Sequence, residues 1–185
     1  MFKKNVAALT ARDTKRKLQA LTELEKTIEQ GDIDPGEFPP FFKGLVKCVQ
    51  DNNFRVCLNS LSNLRLLCES FGEQSRARIH ELLPGLVTRS GDGRKDVRAS
   101  VIDTFLAAME LVGHVKVFEK RVLPALKSPK WRIRESMAVC FTEMVRQFGP
   151  IDMTGRSTNL TNLLSDPQKD VRDAAVEAMR PLQKC

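Results

Sequence analysis

The groups best placed to do chemistry in this chain are cations. Lysine and arginine number 30 against 23 aspartates and glutamates, a formal charge of +7 over 185 residues. They gather in a six-residue phrase that occurs five times. It reads Asp-Thr-Lys-Arg-Lys-Leu ending at Leu18, Asp-Asn-Asn-Phe-Arg-Val ending at Val56 and Asp-Gly-Arg-Lys-Asp-Val ending at Val97. It returns as Ser-Pro-Lys-Trp-Arg-Ile ending at Ile133 and Asp-Pro-Gln-Lys-Asp-Val ending at Val171. Ammonium and guanidinium groups repeated in this way attract an acidic partner, whether nucleic acid, anionic membrane or acidic protein surface. Sets for bond-making chemistry are not assembled. No nucleophile has a matched base. Gly91-Asp92-Gly93-Arg94-Lys95 carries glycines and a lysine but follows no strand and lacks the spacing of a phosphate loop. His80-Glu81 is one His-Glu pair and His114 the only other histidine. The metal-dependent hydroxylases built on helical repeats need several such pairs for two irons, so His80 reads as a helix-face residue. The expectation is a protein that is not an enzyme, with no cofactor, no metal and no small-molecule substrate.

The elements that carry the phrases follow from their period. The final apolar residues stand 38, 41, 36 and 38 residues apart, the repeat length of stacked helical pairs of the HEAT class. The predicted fold is therefore all-α, an α-solenoid of about five HEAT repeats filling residues 1–185 as a single domain. The first helical pair is expected at 2–10 with 14–30; the second opens at Asp34-Pro35-Gly36, with inward faces running from Phe41 to Val49 and from Val56 to Cys68. Pairs at 75–89 with 96–111, 115–126 with 132–148 and 157–164 with 170–183 complete the stack. Leu18, Leu21, Leu24 and Ile28 fall at three- and four-residue steps and form one apolar stripe. Gly31, Gly72, Gly113 and Gly149 are expected to end helices, and Pro39 and Pro40 to occupy a first turn. Pro84 and Pro124 lie at matching places in two first helices and predict matching bends. No polar capping repeat follows the last helix. The expectation is a shortened stack, or one whose cap lies elsewhere in a longer multi-domain protein.

With 42% hydrophobic and 29% charged residues the chain reads as an ordinary globular protein, and Phe, Leu and Val must fill its core. No apolar run is long enough to span a bilayer, and the stretch before Asp13 is too short for a signal-peptide core. Five cysteines form an odd set without a CxxC motif: Cys48, Cys57, Cys68, Cys140 and Cys185. Four fall at apolar helical positions and read as reduced core thiols in the cytosol or nucleus.

Two kinds of turn cation need separating. In HEAT-type repeats a turn Asp and an Arg six residues later pair with neighbouring layers as a ladder. Asp92 with Arg98 and Asp166 with Arg172 have this spacing, and Arg134 sits at the matching place behind Ser128. The other turn residues have no such duty: Lys15, Arg16 and Lys17; Asn53, Phe54 and Arg55; Arg94 and Lys95; Lys130, Trp131 and Arg132; Gln168 and Lys169. Five turns facing one edge would set these side chains in a row that steers an acidic partner. A solvated rim with no partner is the plain alternative. Trp131 and Phe54 read equally as interface anchors or as loop plugs.

These phrases resemble the TOG domain, the tubulin-binding HEAT array of microtubule regulators, and within it the first such domain of the cytoplasmic linker-associated (CLASP) proteins. The axonemal TOG-array proteins are the second match. The more specific stretches are Asn53-Phe54-Arg55-Val56 and Lys130-Trp131-Arg132-Ile133-Arg134-Glu135; the resemblance also takes in 13–18, 82–92 and 163–175. It implies a cytoplasmic, cytoskeletal protein of microtubules, spindle or axoneme. Such a protein binds αβ-tubulin or the microtubule lattice through the turns within each pair and regulates microtubule dynamics. The implied contacts are Thr14, Lys15, Asn53, Arg55, Arg94, Lys95, Lys130, Arg132 and Lys169, with Phe54 and Trp131 as the aromatic candidates. Two departures are visible: Thr14 stands where many tubulin-binding members carry Trp, and the usual sixth repeat is absent. The alternatives are a HEAT scaffold for a protein other than tubulin and, ranked lower, a nucleic-acid-binding array. A membrane partner is not expected.

Overall fold

Each of the five turns ends in a residue with extended backbone that starts a long helix: Asp13 (ψ 115°), Asn53 (ψ 113°), Arg94 (ψ 127°), Lys130 (ψ 112°) and Gln168 (ψ 126°). The computed structural model describes residues 1–31, 33–155 and 157–180, and among these it contains helices and turns without a strand. In four turns the residue two places before the cap braces the bend by accepting the cap's own N–H. Asp51 does so at 2.8 Å, Asp92 at 2.8 Å, Ser128 at 3.3 Å and Asp166 at 2.9 Å. This local bond gives the backbone an alternative to continuing the preceding helix.

The first turn departs from the expected register. Asp13 is itself the cap and accepts the Lys15 N–H at 2.9 Å, so it corresponds to Asn53 and not to Asp51. The residue three past the cap is buried in the other four cases, Val56, Val97, Ile133 and Val171. In the first it is the exposed Arg16, and Leu18, expected as the apolar anchor, is half-buried.

The chain divides into two compact units, Met1–Arg89 and Ser90–Cys185. The first holds α1 (Phe2–Ala8), α2 (Thr14–Gln30), α3 (Phe38–Val49), α4 (Phe54–Ser70), α5 (Gly72–Arg76) and α6 (Ile79–Arg89). Helix α2 ends at Gly31, whose φ of 72° an L side chain would resist. Helix α4 packs against α2 and α3, and α3 against α6. Leu21, Leu24, Ile28, Phe41, Phe42, Leu45, Leu61 and Leu64 are all at most 1% exposed. Gly72 does not end α4 as expected. The break falls at Phe71 (φ −127°, ψ 52°), whose ring lies 5.9 Å from that of Phe38, and Gly72 opens α5. An aromatic contact, not backbone freedom, sets this corner.

The second unit holds α7 (Lys95–Val112), α8 (His114–Val117), a π-helical turn (Phe118–Val122), α9 (Leu123–Ala125), α10 (Trp131–Phe148), α11 (Thr158–Leu163) and α12 (Lys169–Met179). Helix α10 packs against α7 and α12, with Phe105, Phe118 and Phe141 fully buried. Pro84 and Pro124 are not equivalent. Pro84 lies inside the regular helix α6, whereas Pro124 stands two residues past the end of the π-helical turn, a local rewinding that relieves the missing N–H. The predicted last helix beyond Arg180, and Cys185, lie outside the described residues. The other four cysteines are buried and form no disulfide with one another. Burial pushes the Cys48 thiol up to about 11 and those of Cys68 and Cys140 up to about 12, so they pack as small apolar groups.

Candidate functional site

The cations four residues past each cap are spent inside the fold. In the second unit these are Arg98, Arg134 and Arg172, and each donates to the carbonyls of its own turn. Arg98 reaches the Asp92 oxygen at 3.0 Å, Arg134 that of Ser128 at 2.8 Å and Arg172 that of Asp166 at 2.6 Å. Two of them also reach the next layer. Arg134 grips the Asp166 carboxylate with two bonds, Nε at 2.7 Å and NH2 at 2.9 Å. Arg98 meets Glu135 at 3.4 Å, since turn four offers Ser128 instead of an Asp. The hydrogen bonds from Arg134 hold Asp166 below the usual carboxylate range. These bonds draw the N-terminal ends of α7, α10 and α12 together, so the third, fourth and fifth turns lie side by side.

The first unit uses the same device with different residues. Lys17, four past Asp13, pairs with Asp51 at 2.6 Å with both side chains mostly buried. It was expected on the open edge and is a ladder residue instead. Burial would raise the Asp51 carboxyl, but the Lys17 and Asn53 hydrogen bonds outweigh it and leave the group below its ordinary value. In the second layer the arginine position is Cys57. Arg89, at the end of α6, fills the vacancy: its NH2 donates to the Asp51 carbonyl at 3.1 Å and its Nε lies 3.2 Å from Cys57 Sγ. The Lys17–Asp51 pair sets the N-termini of α2 and α4 together, so the first and second turns are neighbours too.

What remains on each set of turns is the candidate edge. In the first unit Thr14 is the half-buried first residue of α2, Lys15 is exposed, and Asn53 is spent as a cap for the Arg55 and Val56 N–H groups. Phe54 is half-buried, with the Arg55 guanidinium 5.8 Å from its ring centre. In the second unit Lys95 and Lys130 are exposed, and Trp131 is half-buried under the Arg132 guanidinium at 4.5 Å. Lys15, Lys95 and Lys130 make no ion pair among the described residues. Arg94 and Lys169 are less open than expected. Arg94 grips Asp96 with contacts at 2.8 and 3.1 Å, and Lys169 meets Asp173 at 2.5 Å, which raises the pKa of each cation. Both pairs are solvent-exposed, so an incoming partner can exchange them at small cost. Each edge thus presents at least one unpaired ammonium and an aromatic ring with a guanidinium over it, groups that suit an acidic surface.

The model of the XMAP215/Dis1/CLASP TOG domain matches residues 9–185. The chain belongs to that family. This TOG chain is 26% identical over 171 residues to the CLIP-associated protein of Arabidopsis thaliana, covering 90% of the chain and 12% of that protein. It is 28% identical over 181 residues to the TOG array regulator of axonemal microtubules protein 1 of Mus musculus, covering 94% of the chain and 10% of that protein. Among solved structures it resembles that of Crescerin, described as using a TOG domain array to regulate microtubules in the primary cilium. The TM-score is 0.79 at 27% identity, over 95% of this chain and 75% of that one. The TOG chain therefore spans about a tenth of the length of these curated relatives.

Sequence reasoning missed Lys17 and Arg89 as ladder residues. A signal for both was present. Arginine fills the fourth place past the cap in the last three turns, and the second turn breaks that pattern with Cys57. A broken pattern at a structural position calls for a substitute, and Arg89 is it.

Proposed function

We propose that this chain binds αβ-tubulin, free or in the microtubule lattice, through the turns within its helical pairs, and serves longer proteins as a module that regulates microtubule dynamics. One observation carries the reading. Within each unit the buried cations are consumed by the ladder, while Lys15, Arg55, Lys95, Lys130 and Arg132 are left on the turns beside Phe54 and Trp131. Family membership supports tubulin as the acidic surface these groups meet. Thr14, Asn53, Arg94 and Lys169 complete the proposed contact set, the last two by exchanging an intramolecular carboxylate for one of the partner. Residues 1–185 are proposed to act together as one TOG module with no catalysis of its own, in the cytoplasm on microtubules of the spindle or axoneme.

The test is co-sedimentation with microtubules and size exclusion with free tubulin, each across a salt series, with duplex DNA in parallel. Binding to one tubulin form is expected, with affinity falling steeply as salt screens the exposed charges. Tighter binding to DNA than to either tubulin form at matched salt would overturn the assignment.

A further inference from the structure

Four of the five turns share one brace, and only one of them lacks a carboxylate. Asp51, Asp92 and Asp166 occupy the place two before the cap; turn four has Ser128. Where both sides of the rung lie in one unit, the carboxylate has two tasks. It accepts the cap N–H, and it receives the cation four past the cap of the layer before. Asp51 takes Lys17 at 2.6 Å, and Asp166 takes Arg134 at 2.7 and 2.9 Å. Ser128 performs the first task weakly, its Oγ accepting the Lys130 N–H at 3.3 Å, and cannot perform the second. Arg98, the cation that should meet it, keeps its bonds to the Asp92 and Gly93 carbonyls and crosses to the next layer only through a 3.4 Å contact with Glu135. The rung between α7 and α10 takes its carboxylate from α10 itself, and the turn carries none.

Ser128 is half-buried at the edge of its turn, and the Pro129 and Lys130 that follow it are exposed. It is the only serine or threonine in the chain that precedes a proline, and Lys130 and Arg132 follow it. A hydroxyl before proline, with basic residues after it, in an exposed turn, is the chemistry that a proline-directed protein kinase selects. We propose that Ser128 is such a phosphorylation site. Its phosphate gives turn four the anion that its sister turns carry, as a second acceptor for Arg98 beside Glu135, and at the same time cancels the positive charge of the turn edge in the second unit.

In the transfer, Ser128 Oγ forms a bond to the γ-phosphorus of a nucleoside triphosphate held by the kinase. The bond from that phosphorus to the β–γ bridging oxygen breaks, the nucleoside diphosphate leaves, and the hydroxyl proton passes to the kinase's base. The product adds a charge of about −2 and three acceptor oxygens. It stands within the reach that aspartate has in the sister turns. Arg98 can then exchange its long contact with Glu135 for a charge-assisted bond, while Lys130 and Arg132 lose their net attraction for an acidic surface. The modification therefore tightens the fold and weakens binding, two effects that a merely disruptive phosphate would not combine. The binding half rests on the tubulin reading above; the rung half does not.

The test incubates the folded chain with a cyclin-dependent kinase and ATP, followed by mass spectrometry. One phosphate on Ser128 is expected, and none in S128A or P129A. The melting temperature of the phosphorylated chain should rise by about 2–4 °C, the shift expected for roughly 1 kcal/mol at this size. The rise should vanish in R98M and grow in E135Q, where Arg98 has no competing carboxylate; E135Q keeps the test decisive if R98M folds poorly. Tubulin affinity should fall at least tenfold on phosphorylation, whereas S128D, which only restores the aspartate of the sister turns, should raise the melting temperature without that loss. Incorporation only after heat unfolding, or a melting point that stays level or drops, overturns the rung. Unchanged tubulin affinity after full phosphorylation overturns the switch. If the unmodified chain binds no tubulin at any salt, it is the function assigned above that fails, and the phosphorylation and melting arms still decide the rung.

Discussion

Replacing Asp166 by asparagine tests the ladder where it is best formed. The carboxylate is 8% exposed and takes two bonds from Arg134 and one from the Gln168 N–H. Asparagine can keep the N–H bond and one weaker Arg contact, but leaves Arg134 charged with its side chain 16% exposed. Breaking a fully buried pair from one side costs about 3–5 kcal/mol. Partial exposure of the guanidinium, and its remaining bonds to the Ser128 and Pro129 carbonyls, reduce this to roughly 2–3 kcal/mol. For a chain of this size the melting temperature should fall by roughly 5–10 °C, read by circular dichroism at 222 nm. The pH dependence has a definite sign. Arg134 lowers the folded pKa of Asp166 beneath the unfolded value, so the stabilisation is complete above the unfolded value of about 3.9 and is lost as pH falls through the folded one. The gap between wild type and D166N should therefore be full at pH 7 and close as acid below the unfolded value protonates the folded carboxylate. D173N, which removes the exposed partner of Lys169, should change the melting temperature little at either pH. A D166N variant within about 0.5 kcal/mol of wild type at pH 7, or a gap that widens in acid, would refute the argument.

Charge reversal separates the edge from the ladder: K95E with K130E should reduce tubulin binding by at least tenfold while the melting temperature moves by less than about 2 °C; a large melting loss would place these lysines among the structural groups. Arg89→Met should cost roughly 1–2 kcal/mol through the lost bond to the Asp51 carbonyl, seen as a lower urea midpoint; an unchanged midpoint would remove Arg89 from the ladder. The thiols of Cys48, Cys68 and Cys140, with pKa values raised to about 11 and about 12, should resist Ellman's reagent at pH 8 in the native chain and react on adding guanidinium, so rapid native labelling of any of them would contradict their burial.

The helices themselves were legible because their signals are local. Period, apolar stripe and cap residue sit within a few positions of one another, and α2 runs from Thr14 to Gln30 as expected. The turn phrase was legible for the same reason: an Asp brace acts over two residues. The misreadings arose where distant residues compete. Asp13 resembles Asp51 in its phrase, but it caps its helix where Asp51 braces a turn. Gly72 is a plausible stop, yet the corner belongs to Phe71 because Phe38 is waiting for its ring.

Composition and spacing settled that the chain is a stack of helical pairs with basic turns, since both properties follow from short-range preference and a repeated length. Which cations stay open to a partner was decided only by packing. Lys15 and Lys17 are two residues apart in the same phrase, but only Lys17 faces the neighbouring layer and its Asp51 carboxylate. A charge is spent or available according to what lies across the gap, and that distance does not exist until the layers meet.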